Sequence, residues 1–303
     1  MRVLFVTSNR VGDAVLSTGL LDSVVRRHPD ARITVVCGPA AEGVFARLPQ
    51  REATIVLEKR PGQRHWLGLW PQVAFRWWDW VIDLRGSALG WLVPTRRRSV
   101  MRSMRGGAVR HKTVELADVL RIAPAPLPVV WTDPADRALA ARLIPAGRKV
   151  IALGPTANWD GKIWPPDRFA MLFDALAAGE LPGAVPAVFA GPGASERALA
   201  APLLDALPGA IDLAGRLSLP EAAACLQRCA LFVGNDSGLM HLAAAAGTAT
   251  LGLFGPTPMD VYAPAGPHAA AVRGTAGSMT SLSVEAALAE ATTLLRRERP
   301  HAA

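Results

Sequence analysis

Leu231-Phe232-Val233-Gly234-Asn235-Asp236-Ser237-Gly238-Leu239-Met240-His241-Leu242 passes from an apolar run, through a polar turn, into a segment with helical spacing. Leu231 to Val233 suits a buried strand and Gly238 to Ala246 a helix. A second apolar run, Thr250 to Phe254, follows and ends in Phe254-Gly255-Pro256-Thr257. A strand, a helix and a strand in this order imply a parallel pair joined by a crossover, the unit of doubly wound α/β sheets. Asp236 or Ser237 is placed to cap the helix, whose free N–H groups then favour an anion. His241 lies one turn on, on the same face as Ser237. An N-cap, a helix and a core histidine would also account for these residues. Two polar turns at neighbouring strand ends favour a site.

The same alternation extends in both directions. Upstream, Val150 to Leu153 and Ala187 to Ala190 read as strands. Asp167 to Ala178, Ser195 to Leu207 and Leu219 to Gln227 read as helices, and Val284 to Arg297 closes the chain as one more. At the start, Val3 to Val6 is a strand, and Ala14 to Arg27 repeats apolar residues at helical spacing. Ile33 to Cys37, Thr54 to Leu57 and Trp80 to Leu84 are further strands. Residues 123–148 are rich in Pro and Ala and read as a linker. The expected architecture is two α/β domains, residues 1–145 and 146–303, facing a cleft between the carboxyl edges of their sheets. Open α/β sheets bind ligands at such edges.

The chain has 303 residues, 50% hydrophobic and 19% charged, which excludes a disordered protein. Its net charge of +8 is unevenly placed. Residues 1–145 hold 22 Lys+Arg and 12 Asp+Glu, a balance of +10, and residues 146–303 hold 11 and 13, a balance of −2. One half therefore suits an anionic partner. Cys37, Cys225 and Cys229 are too few for a disulfide framework and have no metal-ligand spacing, so they read as small buried hydrophobes. The apolar start is too short for a signal peptide, and no window approaches the ~20 apolar residues of a membrane span. A cytoplasmic protein with at most peripheral membrane contact is expected.

Three more groups bear on chemistry. Gly154-Pro155-Thr156-Ala157-Asn158-Trp159-Asp160-Gly161-Lys162 follows a strand and leads into a helix, so it can present N–H groups and a cation to phosphate. It is not a Walker A loop, and Lys162 alone also reads as a solvated surface lysine. Gly12-Asp13 follows the first strand; Asp13 is either a bare N-cap or a general base for a substrate hydroxyl. Thr95 to Lys112 holds seven Lys/Arg and no acid, including Arg96, Arg97, Arg98, Arg102 and Arg105, and six of the nine tryptophans lie just upstream between Trp66 and Trp91. Trp beside Arg suits a membrane interface or an anionic amphiphile; a solvated basic loop beside a Trp-rich core is the plainer reading. No nucleic-acid-binding motif is present, so nucleic acid is not an expected partner.

Taken in order, Gly12-Asp13, Trp80-Val81-Ile82-Asp83-Leu84-Arg85-Gly86, Lys162-x-Trp164-Pro165, Asp236-Ser237-Gly238-x-Met240-His241 and Phe254-Gly255-Pro256-Thr257 resemble the family 9 glycosyltransferases, the ADP-heptose:lipopolysaccharide heptosyltransferases and their relatives. The resemblance implies the two-domain GT-B fold, with donor on the C-terminal and acceptor on the N-terminal domain, and transfer with inversion. It implies Asp13 as the base. It further implies Thr156, Ala157, Asn158, Lys162, Glu196, Leu217, Asp236, Ser237, Gly238 and His241 as donor-binding residues. ADP-heptose is the expected donor and an anionic lipopolysaccharide-core glycolipid the expected acceptor, met by Arg96, Arg97, Arg98, Arg102 and Arg105. No obligatory cofactor is expected, since the sequence has no Asp-x-Asp, though Mg²⁺ can accompany the diphosphate. A sugar-nucleotide epimerase or hydrolase on the same fold, and a non-catalytic anion- or membrane-binding protein, are the competing readings.

Overall fold

The computed structural model describes residues 1–58, 65–102, 109–144 and 146–298. The chain forms two units, Met1–Trp131 and Thr132–Ala303. The division falls earlier than the expected 145/146, because part of the expected linker is a helix of the second unit. That helix, Pro134–Leu143, opens with Asp133 accepting from Asp136 N while Asp136 accepts from Asp133 N, a reciprocal cap.

In the first unit the elements run β1 (Arg2–Val6), α1 (Val11–Arg27), β2 (Arg32–Cys37), β3 (Arg51–Val56), α2 (His65–Ala74), β4 (Trp78–Asp83), α3 (Leu89–Leu92), β5 (Thr95–Val100) and α4 (Lys112–Leu120). The sheet order is β3-β2-β1-β4-β5 and every pairing is parallel. Winding therefore reverses between β1 and β4. Val3, Leu4, Phe5 and Val6 are fully buried, which is why the first strand reads as a continuous apolar run. β5 carries Arg96, Arg97 and Arg98 where a solvated loop was one expectation. As an edge strand it needs no apolar face on both sides, and charge protects its open edge.

In the second unit, after α5 (Pro134–Leu143), come β6 (Val150–Gly154), α6 (Pro166–Ala178), β7 (Val185–Val188), α7 (Ala194–Ala206), β8 (Ile211–Asp212) and α8 (Leu219–Leu226). They are followed by β9 (Leu231–Asn235), α9 (Gly238–Ala245), β10 (Thr250–Phe254), α10 (Met259–Tyr262), β11 (Ala269–Arg273) and α11 (Val284–Glu298). The order is β11-β10-β9-β6-β7-β8, again all parallel, and winding reverses between β6 and β9. α5 packs against α8. Trp164 is fully buried, its ring edge-on to Phe169 with centroids 5.0 Å apart, and its Nε1–H donates to Leu282 O at 2.9 Å. Such an aromatic pair adds about 0.5–1.5 kcal/mol beyond its burial. It pins the turn after β6 to the core. At the ends of β6 and β9 the Phe232 ring leaves room only for glycine: a Cβ on Gly234 would lie 2.6 Å from it and one on Gly154 2.7 Å.

Candidate functional site

The reversal of winding in a doubly wound sheet leaves a gap between two loops that diverge to opposite faces, and ligands bind there. In the second unit those loops follow β6 and β9. The loop after β6 carries Thr156, Ala157 and Asn158, then a 3₁₀ turn, Asp160–Lys162. The loop after β9 carries Asp236 and Ser237 and opens α9. Lys162 Nζ donates to Asp236 Oδ2 at 2.7 Å, across the reversal point. The lysine side chain is 23% exposed and the aspartate 8%. Lys162 is thus a paired, half-buried cation and not a solvated one.

Asn235 holds the two loops together. It is fully buried; its Oδ1 accepts from Trp164 N at 3.1 Å and its Nδ2 donates to Pro155 O at 2.7 Å. Both contacts span more than 70 residues of chain, and sequence alone gave no sign of them. Ser237, not Asp236, is the N-cap of α9, and it makes no side-chain capping bond. Its Oγ is buried without a hydrogen-bond partner among the described residues. Gly238 is the first helical residue, and His241 is buried in the first turns. Thr156 and Ala157 are buried and Asn158 is exposed. Exposed Trp159 lies against Gly161, where a Cβ would come within 2.6 Å of the indole. Glu196 Oε2 accepts from Gly191 N at 3.2 Å, which closes the turn after β7. Leu217 is half-buried in the loop between β8 and α8. Each of these donor candidates lies at or after the carboxyl end of a strand of one sheet.

In the first unit the reversal lies between β1 and β4. Asp13 is the third residue of α1, whose N-cap is Arg10, so it is not the bare cap that the sequence allowed. Ser8 Oγ donates to Asp13 Oδ2 at 3.3 Å and accepts from Arg10 N at 3.2 Å. The loop after β4 is built on fully buried Asp83. Its Oδ1 accepts from Arg85 N at 2.8 Å, and its Oδ2 accepts from Ser87 N and Ser87 Oγ at 2.9 and 2.6 Å. Arg85 Nη1 then donates to Asn9 Oδ1 at 3.1 Å, which joins the loops after β1 and β4. Arg85 and Asn9 were not singled out from the sequence.

The structure divides the basic run. Arg97 pairs in register with Trp80 and Arg98 with Val81, so both sit in mid-strand, away from Asp13. The Arg97 guanidinium lies 3.8 Å from the Trp80 ring centroid. Arg98 lies 5.4 Å from Trp91 and donates to Trp91 O and Val93 O. Arg96 is exposed near the start of β5. Arg102, also exposed, follows β5 at the carboxyl edge, next to Met101, whose N donates to Asp83 O at 2.8 Å. Arg105 lies outside the described residues.

The profile of glycosyltransferase family 9 (heptosyltransferase) matches residues 85–291, about two thirds of the chain. The chain belongs to glycosyltransferase family 9. The family 9 chain is 26% identical to lipooligosaccharide heptosyltransferase 2 of Haemophilus influenzae over 314 aligned residues, covering 90% of this chain and 88% of that protein. Its fold matches the family 9 glycosyltransferase of Veillonella parvula with TM-score 0.81 at 21% identity, over 98% and 97% of the two chains. It matches Escherichia coli ADP-heptose lps heptosyltransferase II with TM-score 0.77 at 21% identity, over 99% and 100%. The GT-B fold and a glycosyltransferase activity follow, and the epimerase, hydrolase and non-catalytic readings are set aside. The family match begins at Arg85, so it includes Lys162 and Asp236 but not Asp13. Among the described residues of this glycosyltransferase, no group of three or more His, Cys, Asp or Glu is placed to hold a metal ion. No helix among them is long and apolar enough to cross a membrane.

Proposed function

We propose that this family 9 glycosyltransferase moves heptose from ADP-heptose onto a lipopolysaccharide-core acceptor, with inversion, at the cytoplasmic face of the inner membrane. The observation that carries the reading is the Lys162–Asp236 contact at the reversal point of the second sheet, beside the α9 N-terminus with its unpartnered Ser237 Oγ. Lys162 supplies a cation and α9 supplies N–H groups for a diphosphate. Asp236 and Ser237 offer an acceptor and a hydroxyl to sugar or phosphate. Thr156, Ala157, Asn158 and Gly238 line the same loops, His241 supports α9, and Glu196 and Leu217 serve the nucleoside from the neighbouring strand ends.

In the first unit, Asp13 is the base. The acceptor hydroxyl oxygen attacks the anomeric carbon as its proton passes to the Asp13 carboxylate. The bond from that carbon to the diphosphate oxygen breaks, and the leaving charge falls to Lys162 and the α9 N–H groups. Arg85 and Arg102 stand at the edge that bears Asp13, and Arg96, Arg97, Arg98 and Arg105 add to the field that an anionic glycolipid meets. The diphosphate charge has protein donors, so Mg²⁺ is dispensable; it can accompany the donor without protein ligands.

The test is ADP release by purified protein given ADP-heptose, with and without a phosphorylated core-lipid acceptor, in EDTA and in Mg²⁺. Acceptor-dependent release in both buffers is expected. Release that ignores the acceptor would overturn transfer, and loss of activity in EDTA would overturn the metal-free chemistry. A panel of other nucleotide sugars checks the donor.

A further inference from the structure

The amino edge of the first sheet, opposite the edge that bears Asp13, carries a patch that the chemistry above does not use. Phe75-Arg76-Trp77 leads directly into β4, and Pro94 leads directly into β5. The two strands pair with Trp78 opposite Thr95, and Trp78 N donates to Pro94 O at 3.2 Å, which sets Phe75 and Trp77 at the amino edge beside Pro94. Phe75 is 81% exposed and Trp77 60%. Trp70, at 42%, meets the Phe75 ring edge-on at 6.0 Å. Soluble proteins keep such contiguous aromatic surface for a partner.

The charge around the patch identifies the partner. Arg26 and Arg27 end α1 at this edge, Arg32 and Arg51 begin β2 and β3, and Arg96 is the second residue of β5; all five are exposed. The acids near this edge include Asp22, which pairs with Arg26, and Asp30, Glu52 and Asp79. Glu52 pairs with Arg76 at 3.1 Å, and Asp79 Oδ2 accepts from Arg2 N at 2.7 Å. Exposed Trp and Phe within a ring of arginines fit the headgroup zone of an anionic bilayer, where the rings take the interface and each cation adds about 1 kcal/mol.

We propose that the amino edge of the first sheet, through Trp70, Phe75 and Trp77, docks this protein on an anionic phospholipid bilayer. This rests on the reading of a peripheral membrane enzyme and names the surface. The five residues of β1, at ~3.3 Å each, set Asp13 on the order of 17 Å from the docked edge. The acceptor hydroxyl then belongs to a sugar that stands off the headgroups, as on a glycolipid with several residues.

The experiment uses the full chain and vesicles of phosphatidylethanolamine with phosphatidylglycerol, with phosphatidylcholine vesicles as control. The variants are Trp70→Ser/Phe75→Ser/Trp77→Ser and, in case the triple fails to fold, Phe75→Ser alone. Cosedimentation and tryptophan fluorescence report binding, and ADP release with a water-soluble acceptor fragment reports activity. Wild type is expected to bind the anionic vesicles with a blue-shifted emission. The triple is expected to bind at least about tenfold more weakly, the single a few-fold, both with unchanged turnover on the soluble acceptor. Wild type and both variants binding equally would overturn the patch and leave the membrane reading standing. Wild type ignoring the vesicles would overturn both. A wild-type dimer in sedimentation that the triple breaks, without vesicle binding, would assign the patch to a second copy and overturn the proposal.

Discussion

The two units share one winding pattern but build their reversal points differently. In the second, three polar contacts cross the gap between the β6 and β9 loops: Lys162 to Asp236, Trp164 N to Asn235, and Asn235 to Pro155 O. In the first, Arg85 to Asn9 joins the β1 and β4 loops, while Asp83 is consumed within its own loop. Charge follows the same division. Met1–Trp131 holds 20 Lys+Arg and 10 Asp+Glu, and Thr132–Ala303 holds 13 and 15, so the +10 and −2 balances survive the shifted boundary. A preorganised gap suits a small, defined ligand, because ordering costs are met on folding. A basic surface suits a larger anion, whose attraction needs no fixed geometry.

The largest effect expected from this contrast is at Asp13. Asp13→Ala removes the proposed base and leaves the donor loops intact, so kcat is expected to fall by about 10²–10⁴ while ADP affinity, measured by calorimetry, is unchanged. Transfer at the wild-type rate would remove Asp13 from the chemistry. Next comes the basic surface. Arg96→Ala/Arg97→Ala/Arg98→Ala loses about 1 kcal/mol per cation near an anionic membrane, roughly 100-fold in vesicle binding at low salt, and much less at high salt. Equal binding at low salt would show that the field of the first unit is not read there. Third, Lys162→Ala deletes one charge-assisted hydrogen bond to phosphate, about 1.5–3 kcal/mol. The donor KM is expected to rise about 10–100-fold and the acceptor KM to hold. If the acceptor KM moved instead, the assignment of ligands to units would be reversed.

Much of this was legible because parallel strands are buried on both faces and end at ligand-binding edges. β1, β6, β9 and β10 are apolar runs, and Asp13, Lys162 and Asp236 stand in the turns and helix start that follow such runs. β5 was not legible, since half of Thr95 to Val100 is charged and an edge strand lacks the apolar signature. β11, Ala269–Arg273, is too poor in large side chains to stand out. α5 was absorbed into a Pro/Ala-rich linker although Asp133-Pro134 with Asp136 is a helix-start signal. Arg85, Asn9 and Asn235 act through partners 76, 71 and 80 residues away, and pairing at that range leaves no local pattern. The division of the arginines between β5 and the carboxyl edge is a matter of strand register, which composition cannot report.

The smallest effect uses the cysteines as separate reporters of the two units. Cys37 ends β2, and burial together with Glu42 pushes its thiol up to about 12. Cys225 and Cys229 flank the end of α8; burial, with Glu221 adding, raises Cys225 to about 11, and burial raises Cys229 further still. An acid whose folded value is raised favours folding below its unfolded value and loses that contribution as pH climbs through the folded one, so all three stay protonated in the fold near pH 8. Alkylation by iodoacetamide at pH 8 then proceeds through opening of the unit that holds the thiol. A ligand bound only to the closed second unit slows its opening reactions by 1 + [L]/Kd, about 11-fold for ADP at ten times its Kd. ADP is therefore expected to slow labelling of Cys225 and Cys229, read by mass spectrometry of peptides, and to leave Cys37 unchanged. Equal protection of Cys37 would mean that the units open together or that nucleotide also binds the first, and the division of labour between the two sheets would fail at its weakest link.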